Sequence, residues 1–295
     1  MKKDIRIGVI GGDARQLSAA DRLVEAGYPV FTYGLCDQPE LATVCQTYEE
    51  AILGIQIMLL PVPLSRDHLQ ITGCNLALSS LISSLQPGIT IYCGLPDENF
   101  VHDALKHGCQ VVDYTKDEVF MIRNALPTAE GAIAIAMNAL TRTLFGCKAL
   151  VIGYGRIGKI LSDLLLHMGA EVTVAARKNT DLAVAGLHGC NRLKIISKEG
   201  TDDFFIPLLS ERFHVIFNTV PVMLLDEPIL CDLPHDIILI DLASAPGGID
   251  YDVAARLGLK TMIALSLPGK VAPITAGEII GDYLIAQLEE GSVIS

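Results

Sequence analysis

Apolar residues along this chain gather in short runs broken by glycine, proline and polar turns. In the first half, residues 5–10, 28–33, 54–60, 89–93 and 110–113 read as strands, with helical spacing over 17–26 and 97–107. In the second half, residues 149–152, 171–175, 193–196, 214–218, 237–242 and 260–263 read as strands, and a helix-like segment ends at Met168. Near-continuous apolar strands alternating with helical stretches predict parallel sheets with helical crossovers. The pattern changes at Pro127, where Thr128 looks like an N-cap and Glu130 lies early in a first turn, ahead of an apolar helix over 132–144. A last helix is expected over 275–289.

The expected fold is therefore α/β: two Rossmann-like parallel-sheet domains joined by connecting helices, with a cleft between them. Residues 1–126, completed by a C-terminal helix over 275–295, form one domain, and residues 127–274 form the other. Two connecting helices would make a hinge, and the active site is expected in the cleft.

Residues 151–158 read V-I-G-Y-G-R-I-G, between a strand and a helix. In such a βαβ unit Gly153 allows the tight turn, Gly155 lets the backbone approach a pyrophosphate, and Gly158 lets the helix pack close. Tyr154, Arg156 and Ile157 complete the loop, and the helix N-terminus aims free N–H groups at an anion. The second strand ends in Ala175-Ala176-Arg177-Lys178. The carboxylate that would bind a plain ribose is missing there, and two cations stand ready for a 2′-phosphate, so the expected cofactor is NADP. Asn218-Thr219-Val220-Pro221 ends another strand, where Asn218, Thr219 and Pro221 suit either a nicotinamide contact or a plain turn. Gly8-x-x-Gly11-Gly12 is only a partial echo of the fingerprint.

Composition narrows the function. The chain is 51% hydrophobic with mean hydropathy +0.43, yet its richest stretch, 51–64, is broken by Gly54, Gln56, Pro61 and Pro63. The excess therefore reads as buried strands and a homo-oligomer interface rather than a membrane span. The charge, 22 − 34 = −12, argues against nucleic acid and anionic membranes. Eight scattered cysteines without a C-x-x-C pair predict small buried hydrophobes, no metal site and a reducing cytoplasm. Met1-Lys2-Lys3-Asp4 leads straight into a strand with no signal-peptide pattern. The seven histidines read as solvated or structural, and no base for alcohol oxidation stands out. Two further loops suit an anion. Residues 241–248 are small, with backbone N–H groups around Ser244 and Gly247, and residues 267–275 place Lys270 and Thr275 before the last helix.

Six stretches carry a family resemblance: Ile10-Gly-Gly-Asp-Ala-Arg-Gln16, Pro127-Thr-Ala-Glu-Gly131, the glycine fingerprint, Asn218-Thr-x-Pro221, Asp241-Leu-Ala-Ser-x-Pro-Gly-Gly248 and Leu267-Pro-Gly-x-Val-Ala-Pro-x-Thr-Ala-Gly277. In order along almost the whole chain, they resemble the dipicolinate synthase A-subunit family of spore-forming bacteria. The resemblance implies oxidation of dihydrodipicolinate, or its hydrated 4-hydroxy-tetrahydro form, to dipicolinate with NADP⁺. It implies the flavoprotein-like B subunit of dipicolinate synthase as partner, and the mother-cell cytoplasm during sporulation. Arg15, beside Asp13, is the first choice for one substrate carboxylate. Lys270 or the loop of Ser244 and Gly247 would hold the other, with Thr128 and Thr275 as further candidates. The alternatives are another two-domain NADP-dependent dehydrogenase or reductase of a small carboxylate, or a nucleotide-binding protein with a regulatory or scaffold role.

Overall fold

The computed structural model describes residues 4–197, 204–207 and 212–291. The chain forms two compact units, Met1–Asn124 with Ala272–Ser295, and Ala125–Val271.

The first unit runs β1 (Ile7–Ile10), α1 (Ala14–Glu25), β2 (Val30–Tyr33), β3 (Thr43–Val44), α2 (Tyr48–Ala51), β4 (Ile57–Leu59), α3 (Leu78–Ser84), β5 (Thr90–Cys93), α4 (Glu98–Lys106) and β6 (Gln110–Asp113). Helix α5 (Glu118–Ala139) starts in this unit and ends in the second. The second unit continues with β7 (Lys148–Ile152), α6 (Arg156–His167), β8 (Glu171–Ala176), α7 (Asn179–Leu187) and β9 (Asn191–Lys194). A short antiparallel pair, β10 (Ile196–Ser197) and β11 (Phe204–Phe205), precedes β12 (Val215–Asn218). Then come α8 (Glu227–Cys231), β13 (Ile238–Asp241), α9 (Tyr251–Arg256), β14 (Lys260–Ile263) and α10 (Leu267–Val271). The last helix, α11 (Pro273–Gly291), returns to the first unit.

Each unit has one six-stranded, all-parallel sheet. The orders are β3-β2-β1-β4-β5-β6 and β14-β13-β12-β7-β8-β9. Both are therefore Rossmann-like α/β sheets, and each reverses its strand order beside its first strand, at β1/β4 and at β7/β12. Alternate side chains cover both faces. Ile7 and Val9 pack with α1 and α11, while Ile10, Met58 and Leu60 pack with α3. Val151, Val174 and Phe217 pack with α5 and α6, and Leu150, Ile152 and Ile216 pack on the opposite face. This double burial is why these strands read as apolar runs rather than as alternation. Asp282 on α11 ties the first unit together, since its two carboxylate oxygens accept from Arg22 Nε and Arg123 Nη2, each at 2.8 Å.

Several expectations need correction. Helix α5 begins two turns earlier than Pro127 and ends at Ala139 rather than 144. Asp117 is its cap, its carboxylate accepting the Phe120 N–H at 2.7 Å, so Thr128 lies inside the helix. Proline removes one helical hydrogen bond. The helix persists because Ala125, Ala129, Ala132 and Ala136 form a buried stripe at helical spacing. The strand expected over 193–196 is shifted to Asn191–Lys194. Helix α1 starts at Ala14, where Asp13 and Gln16 form a capping box. Among the described residues, no helix is long and apolar enough to cross a membrane.

Candidate dinucleotide site

The glycine loop of the second unit leaves β7 at the point where strand order reverses, next to the loop that leaves β12. Open parallel sheets bind ligands at this crevice, because neighbouring loops there turn to opposite faces. Gly153 has φ +96°, a left-handed conformation that side chains resist, and it packs on the Thr219 hydroxyl and Val220. Gly158 sits against the Gly153 carbonyl oxygen, so any side chain there would push the helix off the loop. Gly155 differs: a Cβ on it would meet nothing within 4 Å. It is the N-cap of α6, without a capping side chain, so the N–H groups of Ile157 and Gly158 have no helical acceptor. An open approach over uncapped N–H groups at the positive end of a helix fits a pyrophosphate. Tyr154 is buried in the core, with Lys159 Nζ 5.7 Å from its ring centroid, and offers the site its backbone only.

Beyond the glycines, the C-terminal ends of β8 and β9 gather cations. Arg177 and Lys178 are exposed at the end of β8, and no carboxylate stands there. The sheet adds Lys194, whose residue pairs with Ala176 across the β8–β9 register. Lys194 Nζ donates to the Arg177 carbonyl and, at 2.6 Å, to Asn179 Oδ1. Sequence reasoning missed Lys194, because a strand read over 193–196 does not reveal that it pairs beside β8 and brings this side chain to Arg177.

The β12 loop is built from buried polar groups. Thr219 Oγ1 donates to the Ile152 carbonyl at 2.8 Å. Asn218 is fully buried, and its amide donates to Val220 O and to Asp241 Oδ1, both at 2.9 Å, while its carbonyl accepts from the Val220 N–H. Of the two readings of this loop, nicotinamide contact or plain turn, the second accounts for these bonds, since every polar atom of the Asn218 side chain is engaged within the protein. Pro221 is exposed beside it. Asp241 is the hub, with Oδ1 accepting also from Ala243 N–H (3.0 Å) and Oδ2 from Gly248 N–H (3.0 Å) and Tyr251 Oη (2.6 Å). Burial, then the hydrogen bond to Asp241, push the Tyr251 phenol well above its ordinary range.

The substrate candidates are less unified. In the 241–248 loop, Ala243 and Gly248 give their N–H groups to Asp241, and Gly247 gives its own to Ser244 O at 2.9 Å. Those three donors are taken up within the protein, and Ser244 itself is exposed. Lys270 is exposed in the last turn of α10 rather than in a loop before a helix, and Thr275 is exposed in the first turn of α11. Asp13, Arg15 and Thr275 belong to the first unit, and Thr128, Ser244, Gly247 and Lys270 to the second. Arg15 is 8% exposed. Its Nε and Nη2 both bind the Asp13 carboxylate at 2.8 Å, and Nη2 also binds Val62 O at 2.7 Å. Burial pulls the Asp13 carboxyl up, but the hydrogen bonds and charge of Arg15 outweigh it and hold it below its usual range. Arg15 thus braces its own loop. The structure also pairs His68 Nδ1 with Asp97 Oδ2 at 3.0 Å, a histidine–carboxylate pair that sequence spacing did not signal.

Known proteins are similar to this chain in sequence and fold. Residues 6–115 match the family described as the N-terminal domain of the dipicolinate synthase A subunit. The dipicolinate synthase A subunit of Bacillus subtilis (strain 168) is 30% identical, over 98% of this chain and 98% of that protein. The crystal structure of the dipicolinate synthase A subunit from Bacillus halodurans superposes with TM-score 0.84 at 28% identity, covering 98% of this chain and 99% of that one. An L-alanine dehydrogenase structure shares the fold at TM-score 0.66 and 14% identity, over 96% of this chain and 89% of that one.

Proposed function

The chain belongs to the dipicolinate synthase A-subunit family, and on that premise we propose that it is an NADP-dependent oxidoreductase that oxidises dihydrodipicolinate to dipicolinate. The observation that carries this reading is the uncapped N-terminus of α6 facing the open side of Gly155, with Arg177, Lys178 and Lys194 at the neighbouring strand ends. A bound NADP⁺ supplies the hydride acceptor. The N–H groups of Ile157 and Gly158 hold the pyrophosphate, and the three cations hold the 2′-phosphate. Thr219 and the Asn218–Asp241 pair fix the β12 loop alongside.

Aromatisation shapes what the protein must do. Loss of one hydride and one proton from the dihydropyridine ring yields an aromatic product, so the driving force lies in the substrate. The protein's task is then to hold the ring and its two carboxylates in place, which is catalysis by positioning. A flavoprotein-like B subunit as partner, self-association, and a place in the mother-cell cytoplasm during sporulation accompany this reading.

The test is a fluorescence titration of NADPH and NADH against the wild-type chain and an Arg177→Ala/Lys194→Ala variant. The wild type should favour NADPH by about tenfold or more, the worth of one charge-assisted pair. The variant should lose that preference by weakening NADPH alone. Equal affinity for the two nucleotides in the wild type would remove NADP from the reading.

A further inference from the structure

The first unit has a crevice of the same kind as the one that carries the glycine loop. Its sheet reverses order between β1 and β4, and the loops leaving those strands, residues 11–13 and 60–77, meet there. They are tied together by Gly12 N–H to Thr72 O at 2.7 Å and by Arg15 Nη2 to Val62 O at 2.7 Å. Between them lies a cavity of about 430 Å³ whose lining includes Gly12, Asp13, Arg66, Gln70, Thr72 and Asn75. That volume is in the range of small-molecule sites.

The chemistry of the lining is selective. Two carboxylates face it, and both are already satisfied. Asp13 is paired with Arg15 through two hydrogen bonds. Asp67 accepts from the N–H groups of Leu69 and Gln70 at 2.9 Å and from Ser65 Oγ at 3.0 Å, which draw its carboxyl down to about 2. The remaining polar side chains are donors without protein partners. Among the described residues, Arg66, Gln70 and Asn75 make no side-chain hydrogen bond or ion pair, and Arg66 meets Asp13 through charge alone. Thr72 Oγ1 is buried with no hydrogen-bond partner at all. The hydroxyl is closed off from the cavity, so the donors open to a ligand are those of Arg66, Gln70 and Asn75, all exposed.

We infer that this cavity binds a small ring carboxylate, with the Arg66 guanidinium paired to a carboxylate and Gln70 and Asn75 donating to its oxygens. The inference deepens the proposed function and rests on it, since it assigns the substrate's anionic groups to the first unit. It also moves the carboxylate anchor from Arg15, which is engaged within its own loop, to Arg66. Arginine suits the task because its planar fork matches a carboxylate with two parallel donors.

The experiment is calorimetric titration of pyridine-2,6-dicarboxylate into the full chain, wild type, Arg66→Ala and Arg66→Lys, with NADPH affinity and thermal melting measured alongside. Arg66 is exposed, so both variants should melt like the wild type. Arg66→Ala should weaken the dicarboxylate about tenfold or more. Arg66→Lys should fall between, and NADPH affinity should not move. Unchanged dicarboxylate affinity in Arg66→Ala, with the wild type binding, would overturn this site and leave the proposed function standing. A wild type that binds NADPH but no dicarboxylate would overturn both.

Discussion

Replacing Tyr251 by phenylalanine removes a single oxygen from the buried network that shapes the β12 and β13 loops. Tyr251 Oη donates to Asp241 Oδ2 at 2.6 Å, short enough for a charge-assisted bond. Bonds of this class contribute about 1.5–3 kcal/mol net. Asp241 Oδ2 keeps the Gly248 N–H at 3.0 Å, so the carboxylate is not orphaned and the lower part of that range applies. For a cooperative unit of roughly 150 residues this corresponds to a fall in melting temperature of about 3–8 °C. Thermal denaturation by near-ultraviolet circular dichroism at pH 7 measures it. The pH dependence gives a second arm. The folded-state phenol is raised above its ordinary value of 10.0. Its contribution is therefore complete below the unfolded pKa and is lost as pH rises towards the folded one. The gap between wild type and Tyr251→Phe should be constant through neutral pH and begin to close above about pH 10. Equal melting temperatures at pH 7 would refute the role given to this bond, as would a gap that stays constant well above pH 10.

Two further perturbations test other parts of the structure. Gly158→Ala places a methyl group against the Gly153 carbonyl oxygen, and should weaken NADPH by about tenfold or more, read by fluorescence titration against an unchanged far-ultraviolet spectrum. Asp282→Asn removes the carboxylate shared by Arg22 and Arg123 and should cost about 1 kcal/mol at neutral pH, since all three groups are partly exposed. Burial raises the Asp282 carboxyl, but the two arginines outweigh it and hold it below 3.8. The stabilisation is thus present above that value and fades as pH falls through the lowered pKa, so urea midpoints of the two proteins should converge on the acid side.

The strands and the glycine loop were legible because their signals are local. Runs such as Ala149–Ile152 are buried on both faces and need no partner to be recognised. Gly153 and Gly158 mark a backbone that only glycine tolerates, and the cations after Ala176 announce themselves by the absence of a carboxylate. What was not legible depends on pairing across the fold. Lys194 reaches Arg177 only because β9 lies beside β8. Asn218 reads in sequence as either a ligand or part of a turn, and only its burial beside Asp241 reveals that its amide is occupied. Pro127 reads as a helix boundary until a buried alanine stripe shows the helix passing through it. The 60–77 loop has no periodicity, and its residues gain meaning only where they meet Gly12 and Asp13.

Under the proposed function, this chain itself oxidises a cyclic dicarboxylate with NADP⁺. The most direct measurement supplies the purified chain, alone, with the dihydrodipicolinate precursor and NADP⁺ or NAD⁺, following reduced nicotinamide and dipicolinate together. Equal formation of the two products is expected with NADP⁺, with a much slower reaction with NAD⁺ and slower formation of both products by Gly158→Ala at limiting NADP⁺. Absence of turnover by a chain that still binds NADPH, with activity appearing only when a second protein component is added, would contradict the claim and point to a nucleotide-binding scaffold.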